Sequence, residues 1–471
     1  MPFFTKIMQA FGGIATSTKD LVFRSFLLLY YNQVLGLPAS TASFVLLISL
    51  IVDAVSDPMV GTWSDNFKHK LGRRHFLMLL SVLPFSLSLF LLLAPPDLSD
   101  QGLTIWFLVF TVLTRLSFTF YAVPWGALFA ELTDDYAERS SLLAYRAGVG
   151  WVVGIVFVWV SYGVIFAAGD GYEQGQLNPD NYWPFAVMSG LCVFVAGLVT
   201  TLTTLDQVPY LRSIETAPKV TLVKMFKELK LILKNRDFLF LFLSVLASSV
   251  IIGTNQAFEN YMNTYFWGFG GEELQYMAYT VIGGVAAFLT IVLLQKVFDK
   301  KHLLVGCSIG VMIVTAVPVT LRLLELTPPI GSMGLVYLVV ASVTVNAYLA
   351  TVALVMFASM IADVVDAQEL QTGLRQEGLF NAAITFSGKA TNGAGILIAG
   401  LLIDHVIGLE QGVTLQTVDQ DAVWRMAIID AYVVPLFNVV WLMLAMRYTI
   451  TREKHAQIRA QLDLRRQAQA T

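Results

Sequence analysis

Apolar runs of 18 to 30 residues recur along the whole of this 471-residue chain, and no other feature constrains its fold as tightly. Each run is long enough to cross a hydrocarbon core of roughly 30 Å. The chain is 56% hydrophobic and only 13% charged. A soluble protein of this size carries about twice that charge fraction. The fold class is therefore an all-α integral membrane protein, and the lipid bilayer is its first partner.

Twelve spans are predicted, near residues 14–36, 40–64, 75–95, 103–131, 142–167 and 183–204, then 238–267, 274–297, 303–325, 333–362, 377–405 and 423–447. They divide into a six-helix bundle over 1–204 and a second over 238–447. A polar linker fills 205–237, and a basic tail follows at 448–471. Within the linker, Leu222 to Leu233 place apolar residues at helical spacing, with Lys224, Lys227, Lys230 and Lys234 around the other side. That pattern predicts an amphipathic helix on the inner membrane surface.

Orientation follows from Lys and Arg, which collect on the cytoplasmic side. Loops holding Lys68, Lys70, Arg73 and Arg74, then Arg139, then the linker, then Lys300 and Lys301, then Arg375, alternate with loops such as "PPDLSDQ" and "LTPPIGS" that hold none. Both termini and the linker are placed in the cytoplasm, and the membrane is the plasma (inner) membrane. The N-terminus shows no cleavable signal pattern. Cys192 and Cys307 lie inside apolar runs, so neither a structural disulfide nor a metal site is expected. The net charge of -3 carries no sign of nucleic acid, because the basic residues sit in a few loops.

Two loops repeat one another weakly. "ELTDDYAERSSLLAYR" follows span four and "DVVDAQELQTGLRQEG" follows span ten, each with acids at the inner end of one span and an arginine entering the next. Six plus six spans with matching inner loops is the pattern of a major-facilitator transporter, whose cavity lies between the halves near the midplane. "GTWSDNFKHKLGRR" after span two fits the superfamily's first inner-loop motif. It points to a cytoplasmic gate of Asp65, Arg73 and Arg74, against the bland alternative of a solvated turn.

Two aspartates interrupt span two. Asp53 and Asp57 are four residues apart and share a helix face. Asp53 lies about 20 Å along the helix, near the membrane middle, and Thr119 of span four reaches a similar level. Lys389 lies roughly 18 Å into span eleven. Carboxylate and hydroxyl oxygens suit a small hard cation, and a buried lysine can exchange its hold on the acids as a site fills. The bland reading, a structural charge cluster, is the weaker one, because ionisable residues inside a membrane are costly and mark function by default. Lys19, Asp20 and Arg24 in span one are expected to pair with one another or snorkel. Arg115 and Glu259 are expected to neutralise each other or to line the outer vestibule. Arg322 and Arg425 read as anchors near span ends.

The stretches "DAVSDPMVG", "YAVPWGAL", "ELTDDYAERSSLLAYR" and "MIADVVDAQELQTGLRQEGLFNAAITFSGKATNGAG" resemble the signatures of the glycoside–pentoside–hexuronide:cation symporters, typified by the melibiose symporter. The vertebrate sodium-dependent lysophosphatidylcholine transporter belongs to the same group. The resemblance covers both halves. It implies that Asp53 and Asp57 ligate a coupling cation, Na+ or H+, with Thr119 ahead of Pro124 helping. Ser56 stands where the melibiose symporter has an asparagine. Lys389 corresponds to the lysine linking substrate and cation sites.

The sugar site departs from that pattern. Ala122, Gly126 and Leu354 stand where the melibiose symporter has an aspartate and two tryptophans that serve the sugar. The remaining polar candidates for a substrate site are Arg146, Asn255, Gln256, Asn260, Asn346, Asn381 and Asn392, with aromatics Tyr121, Trp125, Tyr145 and Phe380. Any one of these is more often an interhelical hydrogen bond or a packing residue. The function expected is cation-coupled import of a small solute, a sugar or glycoside, by a monomer that needs no cofactor. The alternative cargo is an amphiphile such as a lysophospholipid or aryl glycoside. A non-transporting sensor need not keep this coupling machinery, and no nucleophile–base pair, phosphate loop or metal-ligand spacing suggests an enzyme.

Overall fold

The computed structural model describes residues 3–133, 135–169, 171–210, 235–373 and 377–470. Regular structure among them is helical apart from one isolated bridge, Gly169 to Tyr172. Eleven of the described helices are long and apolar enough to cross a membrane, from Ala39–Asn66 to Gln420–Ala445, and they coincide with predicted spans two to twelve. Residues 13–34 are helical as well, in a chain of α and π segments, and form span one; Lys19, Asp20 and Arg24 set it apart from the rest. The amphipathic helix expected at Leu222 to Leu233 lies outside the described residues, as does Arg375.

Large apolar side chains such as Ile105, Trp183, Leu289 and Val297 stand more than half exposed on these helices. Lipid is the solvent that such a surface requires. Contacts sort the chain into two units. The described part of Met1–Thr221 groups with Thr254–Ala278 and Ile396–Met426, and the described part of Leu222–Gly253 groups with Tyr279–Gly395 and Ala427–Thr471.

In the first unit, four spans finish with a π turn at the end opposite the basic loops: Tyr30–Val34, Ser161–Ile165, Met262–Phe266 and Ile403–Ile407. Each is closed by a backbone bond to the fifth residue back, as in Phe166 N–H to Ser161 O at 2.7 Å and Trp267 N–H to Met262 O at 2.9 Å. The wider turn rotates side chains off the regular helical register. Polar groups from these turns then knit the ends together. Tyr261 donates to Asn32 Oδ1 and Tyr265 to Gln33 Oε1, both at 2.9 Å, while Gln33 Nε2 reaches the Glu410 carbonyl at 3.1 Å. Asp404 accepts from the backbone N–H groups of Ala39 and Ser40 at 3.0 and 2.7 Å, so a carboxylate from span eleven caps span two. Gly400 is packed so tightly against Ala39 and Ser43 that a Cβ has no room. Beneath this seal lies an aromatic cluster in which Tyr30 stacks on Tyr182 and Tyr31 on Phe107, with centroids 3.8 and 3.7 Å apart.

In the second unit, Gly283 lets spans eight and ten touch, since a Cβ there would collide with the Thr344 carbonyl. Span ten was expected to end near residue 362 but continues as helix to Thr372, closed by Gly373 at φ 73°. The reason is a partner. The tail forms a helix, Arg452–Ala470, whose basic side chains meet the extension's acids: the His455 ring and the Arg459 guanidinium reach Asp366 at 3.1 and 3.5 Å, and Arg466 reaches Glu369 at 2.9 Å. Asp363 holds Lys300 at 2.7 Å and accepts from the Tyr448 hydroxyl at 3.0 Å. Burial, then the Asp363 charge, push the Tyr448 phenol far above its ordinary pKa, so it stays a donor.

Candidate cation and solute site

Asp53, Ser56 and Asp57 project from one face of Ala39–Asn66 toward span four, Asp100–Leu132. Thr119 of span four stands between the two acids. Its hydroxyl oxygen lies 3.2 Å from Asp53 Oδ1, 3.1 Å from Asp57 Oδ1 and 3.3 Å from the Ser56 hydroxyl. Asp53 is 1% exposed, and Thr119 is fully buried. All four residues proposed from sequence for the cation thus come together, and their donor set is oxygen only, the set a hard monovalent cation takes.

Arg115 is the residue that the sequence reading misplaced. Expected to face Glu259 or the outer vestibule, it instead sends Nη1 to Asp53 Oδ2 at 3.3 Å. Glu259 pairs with Arg24 at 2.9 Å. Arg24 therefore does not pair within span one, whereas Lys19 does, holding Asp20 at 2.6 Å with its ammonium 3.8 Å from the Phe118 ring centroid. Arg115 lies about 22 Å along the helix from Asp100, level with Asp53, and it is the turn of the side chain about the helix axis that residue counting does not give.

Asp65, Arg73 and Arg74 meet at the basic end of the same unit, around a residue that sequence reasoning did not single out. Glu131 Oε1 accepts from Arg73 at 2.7 Å and from Arg74 at 2.9 Å. Arg74 also pairs with Asp65 and donates to Ser64 at 2.7 Å, while Arg73 reaches the Asp65 carbonyl at 3.3 Å. Glu131 opens the quoted "ELTDDY" stretch, and an acid facing two neighbouring arginines was the clue available.

The substrate candidates scatter. Arg146 is half-buried, its guanidinium 3.5 Å from the Trp125 ring centroid, a close cation–π stack. Trp125 itself is buried and donates to the Gln9 carbonyl at 2.9 Å; Tyr121 is fully enclosed with its hydroxyl turned to the Gly12 carbonyl. Both rings pack span four against span one, and neither faces open space. Asn260 accepts from Tyr162 at 3.2 Å, while its Nδ2 and the Asn255 Oδ1 are buried with no hydrogen-bond partner among the described residues. Asn346 is taken by Thr315 at 2.8 Å, an interhelical bond, and Phe380 is buried against Phe238. Lys389 is half-buried on Glu377–Leu402 in the second unit; the side chain of Asn381, on the same helix, lies outside the described residues. A Cβ at Gly126 would meet nothing within 4 Å. An apolar groove of about 670 Å³ is lined by Phe11 and Ile14 from the N-terminal helices and by Tyr145, Val149 and Val152 from span five.

The chain matches the family of MFS/sugar transport proteins over residues 8–452. It is 26% identical to an uncharacterized symporter of Synechocystis sp., across 99% of this chain and 97% of that one. It is 25% identical to the putative glycoside/cation symporter YagG of Escherichia coli, across 81% of this chain and 78% of the relative. Among solved structures, the inward-open xylose transporter XylE of E. coli superposes with a TM-score of 0.61 at 13% identity, covering 97% of this chain and 98% of that one, which shows the shared fold. The chain is a multi-pass membrane transporter of the MFS/sugar transport family and belongs to its glycoside–pentoside–hexuronide:cation symporters.

Proposed function

We propose that this protein imports a small solute, a sugar or glycoside, together with a cation, Na+ or H+, by alternating access. The observation that carries the reading is Thr119 bridging buried Asp53 and half-buried Asp57, an all-oxygen cluster within span two and span four. A cation entering it relieves the repulsion between the two acids, so its binding is linked to the conformations that hold solute, and each ligand raises the other's affinity. Lys389 enters as the residue whose substitution uncouples cation from solute. Arg146, with the amide atoms of Asn255 and Asn260 that find no partner among the described residues, supplies polar anchors of the kind that hydroxyl-rich cargo needs. The distribution of Lys and Arg supports cytoplasmic termini in a plasma (inner) membrane, with the gate at Asp65, Arg73 and Arg74 on that side. The protein works as a monomer and needs no cofactor.

One observation favours a second cargo. The groove lined by Phe11, Tyr145 and Val149 is apolar and open, a shape that suits the tail of an amphiphile. Thermal shifts of the purified protein with glycosides, uronides and lysolipids, each with and without sodium, separate the two. A sodium-enhanced shift from a sugar supports the first reading, and a shift from amphiphiles alone supports the second. Concentrative, cation-dependent uptake that survives both Asp53→Asn and Asp57→Asn overturns the coupling mechanism.

A further inference from the structure

Arg115 carries a consequence that the paired acids alone do not. Its guanidinium is buried, and its hold on Asp53 is one bond of 3.3 Å rather than a two-pronged fork. Its Nε finds no hydrogen-bond partner among the described residues. The group rests 4.5 Å from the centroid of the Phe23 ring, which supports it without fixing it to an anion. A strong arginine–carboxylate pair is short and bidentate; this one is neither. Arg115 occupies Oδ2 of Asp53, while Oδ1 of the same carboxylate faces Thr119 and the side where Asp57 lies.

We propose that Arg115 is a resident counter-ion that competes with the coupling cation for Asp53, and so sets both how tightly the cation is held and which charge it may carry. The proposal rests on the reading of Asp53 and Asp57 as the cation site. The guanidinium adds one positive charge beside Asp53. Removing it makes the cluster one unit more negative, a change that favours a divalent ion over a monovalent one. Because the guanidinium is loosely held, an arriving cation can share Asp53 with it at the cost of their mutual repulsion. Affinity is thereby kept low enough for the ion to leave on the far side, as a transported ion must.

The test is a titration of purified, full-length protein with NaCl, followed by thermal shift and by tryptophan fluorescence at constant ionic strength held with choline chloride. CaCl2 is titrated in parallel. Wild type, Arg115→Gln, Asp57→Asn and the double variant are compared, each first shown monodisperse and helical. Should Arg115→Gln fail to fold, Arg115→Met fills similar space against Phe23 and takes its place. The expected result is a half-saturating sodium concentration at least tenfold lower in the neutral variant, a new response to calcium that wild type lacks, and loss of both gains when Asp57→Asn is added. If wild type responds to sodium, Asp57→Asn abolishes that response, and the folded neutral variant binds sodium no better and ignores calcium, Arg115 is a structural cation and the proposal is overturned while the cation site stands. If neither wild type nor the neutral variant responds to sodium or calcium, the reading of this cluster as a sodium site falls and the proposal falls with it.

Discussion

The Thr119 hydroxyl lies 3.1 Å from Asp57 Oδ1, joining span four to span two at mid-membrane. A hydrogen bond to a charged group is worth roughly 1.5–3 kcal/mol, and a ligand oxygen lost from a cation site costs on that scale. Thr119→Val should therefore raise the half-saturating cation concentration by about tenfold or more in uptake assays, with maximal rate less affected. Asp57→Asn should abolish cation dependence. Unchanged cation dependence in Thr119→Val would remove the hydroxyl from the site.

At the basic end, Arg74 is 4% exposed and shared by Asp65, Glu131 and Ser64. Removing one member of a buried pair strands the other, at about 3 kcal/mol. Arg74→Ala should lower the melting temperature by several degrees, and Glu131→Gln, which keeps shape and an acceptor, should lower it less. Equal effects would show that packing rather than charge holds this cluster.

Tyr448 gives a prediction with a pH axis. Its phenol is raised far above the usual value by burial and by Asp363, and it donates to that carboxylate at 3.0 Å. A raised tyrosine pKa contributes stability that is complete below the unfolded value near 10 and is lost only as pH climbs past it. Tyr448→Phe should cost roughly 2 kcal/mol, and because His455 also lies 3.3 Å from Asp363, its melting-temperature deficit should be flat above the ordinary histidine range, between about pH 8 and pH 9. A deficit that varies over that interval would mean another group titrates at this contact.

The tail helix is tied down by ion pairs whose cations are exposed, Arg459 at 48% and Arg466 at 45% of the side chain. Such pairs weaken as salt screens them. Limited trypsin digestion should remove the tail faster at about 0.5 M salt than at about 0.05 M, where the screening length is several-fold longer. A digestion rate indifferent to salt would place the tail's hold in apolar contacts such as buried Ile458 and Leu462.

Hydropathy made the spans legible because lipid imposes both length and polarity, and eleven helices appear where the sequence put them. The Asp53, Ser56, Asp57 and Thr119 cluster was legible in part, since helical spacing fixes a shared face and residue count fixes depth. Rotation about the helix axis is not encoded in either quantity. That is why Arg115 was aimed at Glu259 when it turns toward Asp53, and why Arg24 was kept within its own span. Span ten's extension was hidden for another reason: the stretch from Asp363 to Glu369 reads as a polar loop until the tail supplies its counter-charges. Asp404 was not singled out from the sequence. Only the fold reveals that it completes the first turn of a helix distant in sequence.

That cap has a cost in water. When the seal at Asp404 parts, the amides of Ala39 and Ser40, the phenols of Tyr261 and Tyr265 and the amides of Asn32 and Gln33 each exchange a protein partner for solvent. Opening at this end is thus a hydration reaction that takes up several water molecules per event. Osmolytes too large to enter should hold the protein sealed, and transport should slow with falling water activity even when solute and cation are saturating.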